Sequence, residues 1–565
     1  MQRASIATVC PYCGVGCGLY ITTEAGKITG LDYMTEHPVN EGALCPQGNA
    51  SLDVVYHHDR LLYPMQRVDG HLERVSWTDA LSTVAANLNH IQAEFGPDAL
   101  GFLASAGATN EEIYLFQKLA RMLGTNNIDH CAHLWHGPLS AGLIPTLGAG
   151  AMTNPIVDLA NADCIFVIGS NFAASHPIVS RWALDAKQRG AKLIVADSHF
   201  TPTAWPADLF LSLSPGSETL LVNAMMNVII AEGLWNREFV DAHVEGFDEL
   251  RDAVSGYTPE RVATRTGLSV EDIRAAAQIY ATLPASSVVC GPGSAQQPGD
   301  AGLTQALANL ALLTGQIGRP GTGVNPLLEQ ANTRGACDMG ALPDAFPWYR
   351  PVTSEISRRR FARAWGLDAE QFSPKPGLNL SEMIRAIEAG KLHCMLILGE
   401  KPILAGPDAA QMAAALEKLD FLAVIEIFPT ATTELAHVIL PGASFAEKRG
   451  TQTATDRRVQ WLEQAVDPVG ESMSEWKIIS RLAARMGFEK QFTYPHEEAI
   501  FYEIRAMIAG YAGFSPERLQ NTLGGIPWPC LATNHPGTPI LYTESFGHPG
   551  GKGRLVPAEI GGSYA

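Results

Sequence analysis

Hydrophobic and polar positions along this 565-residue chain alternate between two rhythms. Short β-branched runs are followed by longer stretches in which apolar residues return every three or four positions, the signatures of buried strands and amphipathic helices. Residues 99–104 read as a strand and 110–123 as a helix, followed by a strand at 164–169, a helix at 178–189 and a strand at 191–196 with a polar end at Asp197. The last three form a strand–helix–strand unit, the connection that parallel strands require. A second series runs through 288–290, a helix near 303–313, a strand at 394–398, a helix at 409–419 and a strand at 422–427. The expected class is α/β, with two doubly wound sheets. Several strands end in glycine or acid groups: Gly169-Ser170-Asn171, Cys290-Gly291-Pro292-Gly293 and Gly399-Glu400. Ligands of such sheets bind beyond the carboxyl ends of the strands. One glycine turn is ordinary geometry, but the set together points to a large nucleotide-like cofactor.

The length predicts three or four compact units. Apolar residues make up 46%, as in an ordinary globular protein, and 58 acids against 40 bases leave a net charge of −18. Such a surface repels phosphate backbones and anionic membranes, so no nucleic-acid partner is expected. The most apolar stretch, 220–234, is broken by Asn223, Asn227 and Glu232 at helical spacing, which marks a buried helix rather than a membrane segment. The start, Met1 to Ile6, has no paired arginines leading into an apolar run, and the expected location is the cytoplasm.

The most specific chemistry lies near the amino terminus. Cys10, Cys13, Cys17 and Cys45 follow the spacing C-x2-C-x3-C-x27-C, with Pro46 after the last cysteine. Four thiolates so spaced suit a 4Fe-4S cluster gripped by one tight loop and one returning segment. Gly14, Gly16 and Gly18 let the backbone fold closely around it. A structural zinc site and two disulfides are compatible with the same residues, although zinc sites more often pair C-x2-C with a second short pair. The other six cysteines, Cys131, Cys164, Cys290, Cys337, Cys394 and Cys530, stand singly in apolar contexts and read as reduced core residues.

Longer strings add to this. Cys10 to Cys17 with Cys45-Pro46, Gly124-Thr-Asn-Asn-Ile-Asp129, Trp135-His136-Gly137-Pro138, Gly323-Val-Asn-Pro326 and Arg334-Gly-Ala-Cys-Asp-Met-Gly-Ala-Leu-Pro343 resemble the catalytic subunit of molybdopterin-dependent formate dehydrogenases. The resemblance runs from Cys10 to about Gly553. It implies a small cluster domain, two α/β domains related by a pseudo-twofold axis, and a carboxyl-terminal β-barrel. On that pattern 1–63, completed by about 445–535, would hold the cluster. Residues 64–130 with 331–444 would form one pterin-binding domain, 131–330 the other, and 536–565 a tail where the barrel would begin. Two molybdopterin guanine dinucleotides carrying one Mo or W are implied. Gly169, Ser170, Asn171, His176, Asp197, Gly216 and Ser217 would serve one pterin, and Gly399, Glu400, Glu426, Thr451 and Asp456 the other. Glycine-turn amides would donate to pyrophosphate and strand-end acids would accept the guanine N–H groups.

Four departures from the family weaken its chemistry. Trp135 stands where a cysteine or selenocysteine ligates the metal, and an indole has no ligating atom. Leu328 stands where an arginine orients formate, and it cannot form a bidentate pair. Gln47 replaces the lysine that bridges cluster and pterin, keeping hydrogen bonding without the charge. The fourth is length, since the chain stops at Ala565 about where the barrel is expected. His136 remains to handle a proton. The expected function is therefore a subunit that oxidises formate, or a similar one-carbon compound, to CO2 with electrons leaving through the cluster. A partner subunit would supply the barrel or accept electrons. The alternative is a catalytically silent scaffold and electron relay within a larger redox complex.

Overall fold

The computed structural model describes residues 3–130, 137–291, 302–405 and 408–558. The chain divides into two compact units. The first comprises Met1–His133, Gln330–Ala454 and Arg458–Gly537, and the second Leu134–Glu329, Thr455–Arg457 and Thr538–Ala565.

The second unit is built on five parallel strands in the order Leu209–Ser212, Lys192–Asp197, Cys164–Ile168, Ser286–Cys290 and Gly323–Pro326. From Cys164–Ile168 the chain steps outward to one side, then returns to add Ser286–Cys290 on the other, so the winding reverses between these two neighbours. Both are buried throughout, and they consist of apolar residues with two serines, as parallel strands covered on both faces require. The stretch expected to be a buried helix is one: Glu218–Ala231 is almost wholly inside, packed with Gly302–Thr314 and Val270–Thr282 in one apolar core. Residues 538–558 are also part of this unit. Leu541 N–H donates to Thr153 O, the short strand Gly553–Arg554 pairs with Val244–Glu245, and Phe546 and Leu555 join the core.

The first unit holds a seven-stranded sheet in the order His71–Arg74, Met65–Val68, Val438–Pro441, Phe421–Glu426, Cys394–Leu398, Leu100–Ala104 and Ile128–His130. Its five inner and distal strands from Val438–Pro441 to Ile128–His130 are parallel, and the hairpin Met65–Arg74 adds an antiparallel edge. Here the winding reverses between Leu100–Ala104 and Cys394–Leu398. The helix Asn110–Met122 departs from its amphipathic pattern, because all thirteen of its residues are buried. Its ionisable side chains each find polar partners. Glu111 accepts from the Thr451 N–H and hydroxyl (both 2.8 Å), Glu112 faces Lys448 (2.8 Å), and Lys118 faces Glu503 (2.8 Å).

Ahead of this sheet lies a three-stranded antiparallel meander, Arg3–Val9, Gly18–Glu24 and Lys27–Tyr33. The loop between its first two strands carries three of the four motif cysteines. Among the described residues no helix is long and apolar enough to cross a membrane.

Candidate functional site

The cysteine cradle follows from the meander. The strands Arg3–Val9 and Gly18–Glu24 pair up to Val9 and Gly18, and Cys10 N–H donates to Cys17 O (2.8 Å), so the loop between them is pinched shut at its base. Gly16 sits at φ +63°, in the region that favours glycine, and a Cβ there would strike the Gln460 side chain. Cys45 caps the short helix Pro46–Asn49 and returns the fourth thiol. The strand Arg458–Leu462 supports the loop: Arg458 Nη2 donates to Val15 O (2.7 Å) and Gln460 Nε2 to Gly16 O (2.9 Å).

None of the four thiols is in a disulfide. Burial pushes Cys10 up to about 12 and Cys13 up to about 11, and it holds Cys17 well above the usual thiol range. Each of these is raised further by the charge of its neighbours in the set, Cys45 included. Four thiols that repel one another when ionised are a poor hydrophobic cluster and a good donor set for a cationic centre. They fit a 4Fe-4S cluster. Arg458 is the buried cation of the cradle, acting to lower Cys17 and, after burial itself, to lower His37 to about 3, so that imidazole is neutral.

Both reversals of winding place small residues face to face. In the second unit, Gly169 follows Cys164–Ile168 at φ +56° and donates to Ala196 O (3.0 Å). A Cβ on Gly291, after the neighbouring strand, would lie 2.7 Å from Ser170 Oγ and 3.2 Å from Gly169 O. In the first unit, Gly399 (φ +61°) follows Cys394–Leu398, and its Cβ would lie 3.3 Å from Ser105 Cβ and 4.0 Å from Glu426 Oε2. These are crevices at topological switch points, lined by backbone and short side chains with an acid at an adjacent strand end. That chemistry fits the dinucleotide portions of a pterin cofactor.

Asn171 Oδ1 accepts from Thr203 Oγ1 (3.0 Å), which fixes the loop after Gly169. His176 is buried, takes a bond from Ser175 Oγ at Nδ1 (2.8 Å) and donates from Nε2 to Leu328 O (2.9 Å). Both ring nitrogens are thereby used, and burial lowers its basicity, so it is a neutral strut for the Leu328 backbone. Asp197 is half-buried at its strand end and accepts from His199 N–H (3.1 Å). Gly216 (φ +80°) and Ser217 lead into Glu218–Ala231, with Ser217 Oγ donating to Ser214 O (2.6 Å). Glu400 is buried, with Oε1 accepting from Lys401 N–H (3.2 Å). Glu426 is 4% exposed and burial pushes it up to about 7, against the pull of Lys401 Nζ at 3.6 Å.

Thr451 has both of its donors committed to Glu111. Asp456 belongs to the second unit, where Oδ2 accepts from Ile156 N–H (3.3 Å), whereas Glu400, Glu426 and Thr451 belong to the first. The five residues expected to serve one pterin are thus divided between units. Gln47 is exposed, two residues after Cys45. Trp135 and His136 lie outside the described residues. Three cations escaped sequence reasoning: Arg458 under the cysteine loop, Lys448 between Glu112 and Glu475, and Arg334. Arg334 stands in one of the family strings, yet its burial has no local sequence signal.

Residues 60–485 match the molybdopterin oxidoreductase family, and residues 4–57 match the molybdopterin oxidoreductase Fe4S4 domain. The chain belongs to the molybdopterin oxidoreductases. Its cofactors are those of the two matched domains, a 4Fe-4S cluster and molybdopterin. It is 43% identical to the F420-dependent formate dehydrogenase subunit alpha of Methanocaldococcus jannaschii, over 99% of this chain and 81% of the relative. It is 40% identical to formate dehydrogenase H of Escherichia coli, over 97% of this chain and 77% of the relative. In fold it resembles the acetylene hydratase of Pelobacter acetylenicus, with a TM-score of 0.78 at 24% identity, covering 98% of this chain and 77% of that one.

Proposed function

We propose that this oxidoreductase is a formate dehydrogenase subunit, oxidising formate to CO2 and passing the electrons through its cluster to a partner chain. The observation that carries this reading is the combination on one chain of a four-thiol cradle and two switch-point crevices, in a protein 40–43% identical to two formate dehydrogenases. A molybdenum or tungsten pterin bound here would supply the two-electron acceptor that formate oxidation needs, and a 4Fe-4S cluster would supply a one-electron path onward. The rest falls to the chain. Cys10, Cys13, Cys17 and Cys45 hold the cluster, with Arg458 offsetting their negative charge from below. Gln47, two residues beyond Cys45, would offer its amide to the cluster and the pterin. Gly169, Ser170, Asn171, Asp197, Gly216 and Ser217 bind one dinucleotide and Gly399, Glu400 and Glu426 bind the other. His176 and Asp456 brace the loops of the second unit, Thr451 braces the first, and His136 takes up the proton. The methanogen relative is named as an alpha subunit, and the same place beside an electron-accepting partner suits this chain.

A silent electron relay is the second reading, favoured by Leu328, whose buried side chain offers formate no charge. The test is one preparation of the native complex, purified without oxygen. Formate dehydrogenase function predicts about four irons per chain, molybdenum or tungsten, and formate-dependent viologen reduction. Cys10→Ser is expected to abolish the dithionite-bleachable absorbance. A cluster that dithionite reduces but formate does not, in a complex holding the pterin metal, would overturn the catalytic reading in favour of the relay.

A further inference from the structure

Arg334 is 1% exposed, and its guanidinium is only partly matched. Nη1 donates to the Tyr349 hydroxyl (2.8 Å), whereas Nε and Nη2 have no hydrogen-bond partner. Arginine stays charged at any physiological pH, and burying it without an anion on its donors is costly. The nearest acid does not meet this edge. Asp338 Oδ1 accepts from the Tyr349 hydroxyl (2.9 Å) and Oδ2 from the Tyr511 hydroxyl (3.1 Å), so two phenols hold the carboxylate in place.

The backbone around this group is strained in a way that serves the arrangement. Trp348 (φ +62°) and Tyr349 (φ +55°) are consecutive non-glycine residues in the left-handed region, and Trp348 N–H donates to Asp338 O (2.8 Å). Both residues carry a side chain that this backbone region disfavours. Such strain is retained where the surroundings hold it and clusters at binding sites. Here it sets the Tyr349 hydroxyl between Arg334 and Asp338, fixing one end of the guanidinium and leaving the side edge bare. Nε–H and Nη2–H on that edge are parallel donors, the fork that matches the two oxygens of a carboxylate.

We propose that Arg334 is the substrate-binding residue for the carboxylate of formate, gripping both oxygens through Nε and Nη2 with Tyr349 and Asp338 fixing its plane. The role rests on the formate reading above. It explains how a chain with Leu328 at the family's arginine position still holds a monocarboxylate. A cofactor phosphate is the competing anion, because its oxygens match the same two-donor edge, and the pterin content of the variants separates the two.

The experiment titrates [13C]formate into the dithionite-reduced native complex, in which no net oxidation occurs, and reads the dissociation constant from 13C line broadening. Arg334→Gln is expected to weaken formate binding about 20-fold or more, and Arg334→Lys, which keeps the charge without the fork, by an intermediate factor. Iron content, cluster absorbance and pterin content are expected to match wild type in both. Should Arg334→Gln fail to fold, Arg334→Lys carries the test. Equal formate affinity in wild type and variants overturns the clamp, as does a wild type that binds no formate. Loss of pterin with undiminished formate affinity per loaded chain also overturns it, assigning the edge to a cofactor phosphate. Binding through Arg334 without viologen reduction leaves the clamp standing and sinks the oxidation reading. Viologen reduction with an unchanged formate KM in Arg334→Gln does the reverse.

Discussion

The two switch points are built to one plan and differ in how their acids are kept. In each sheet a strand ending in serine-containing backbone lies beside one ending in glycine: Ser170 opposite Gly291 in the second unit, Ser105 opposite Gly399 in the first. The acid of the second unit, Asp197, is half-buried and accepts a backbone N–H from His199. The acid of the first, Glu426, is 4% exposed, with Lys401 Nζ 3.6 Å away and its carboxyl pushed up to about 7. One plan therefore yields a solvated acceptor and a desolvated one. On the proposed cofactor reading, the desolvated carboxyl would gain most from donors on a bound guanine, because those donors would replace lost water.

The largest effect expected from breaking this parallel is at Gly291. Valine there meets Ser170 Cβ and the Gly169 carbonyl, and a backbone oxygen cannot rotate away, so Gly291→Val is expected to cost about 3 kcal/mol. Thermal melting together with pterin content measures it, and a melt within a degree of wild type would contradict the close approach.

Next comes the pH response of Glu426. An acid whose folded pKa is raised from the ordinary 4.5 to about 7 binds its proton more tightly in the folded state. The stability this confers is complete below about 4.5 and is lost as pH rises through about 7, amounting to about 2 kcal/mol between pH 5 and pH 8. Glu426→Gln is expected to flatten that slope in cofactor-free protein and to weaken guanine nucleotide retention in the loaded enzyme. Parallel stability–pH curves for wild type and variant would rule out the burial argument.

A smaller change is expected at Gly399, where an alanine Cβ would lie 3.3 Å from Ser105 Cβ, a contact that a shift of a few tenths of an ångström relieves, but the residue must adopt φ +61°. That strain is worth roughly 1–2 kcal/mol, measurable as a shift in denaturant midpoint without loss of slope. Asp197→Asn sharpens the comparison from the other side. A half-exposed acceptor of one backbone bond is expected to change stability by no more than about 0.5 kcal/mol, while guanine binding falls. Equal losses of stability in Asp197→Asn and Glu426→Gln would erase the difference between the two sites.

Local pattern alone specified the cysteine cradle and most of the elements. The spacing of Cys10, Cys13, Cys17 and Cys45 constrains four ligands within a short contour, and steric limits on the intervening glycines follow from residue type. The strand at 164–169 and the helices at 110–123 and 178–189 are found as Cys164–Ile168, Asn110–Met122 and Pro177–Gln188, because continuous apolar runs and amphipathic periodicity are local properties. Other features depended on pairing between distant segments. Strand order put Leu100–Ala104 beside Cys394–Leu398, nearly three hundred residues later, and so created a switch point that no window of sequence contains. The meander Arg3–Tyr33 and the edge hairpin at Met65–Arg74 have no clear period in the sequence, since their strands carry too few apolar positions. Burial was decided at the same level. Glu111, Glu112, Lys118 and Arg334 look in sequence like residues of solvated surfaces, and only the packing of remote segments around them removed the water and supplied partners such as Thr451, Lys448 and Glu503 in its place.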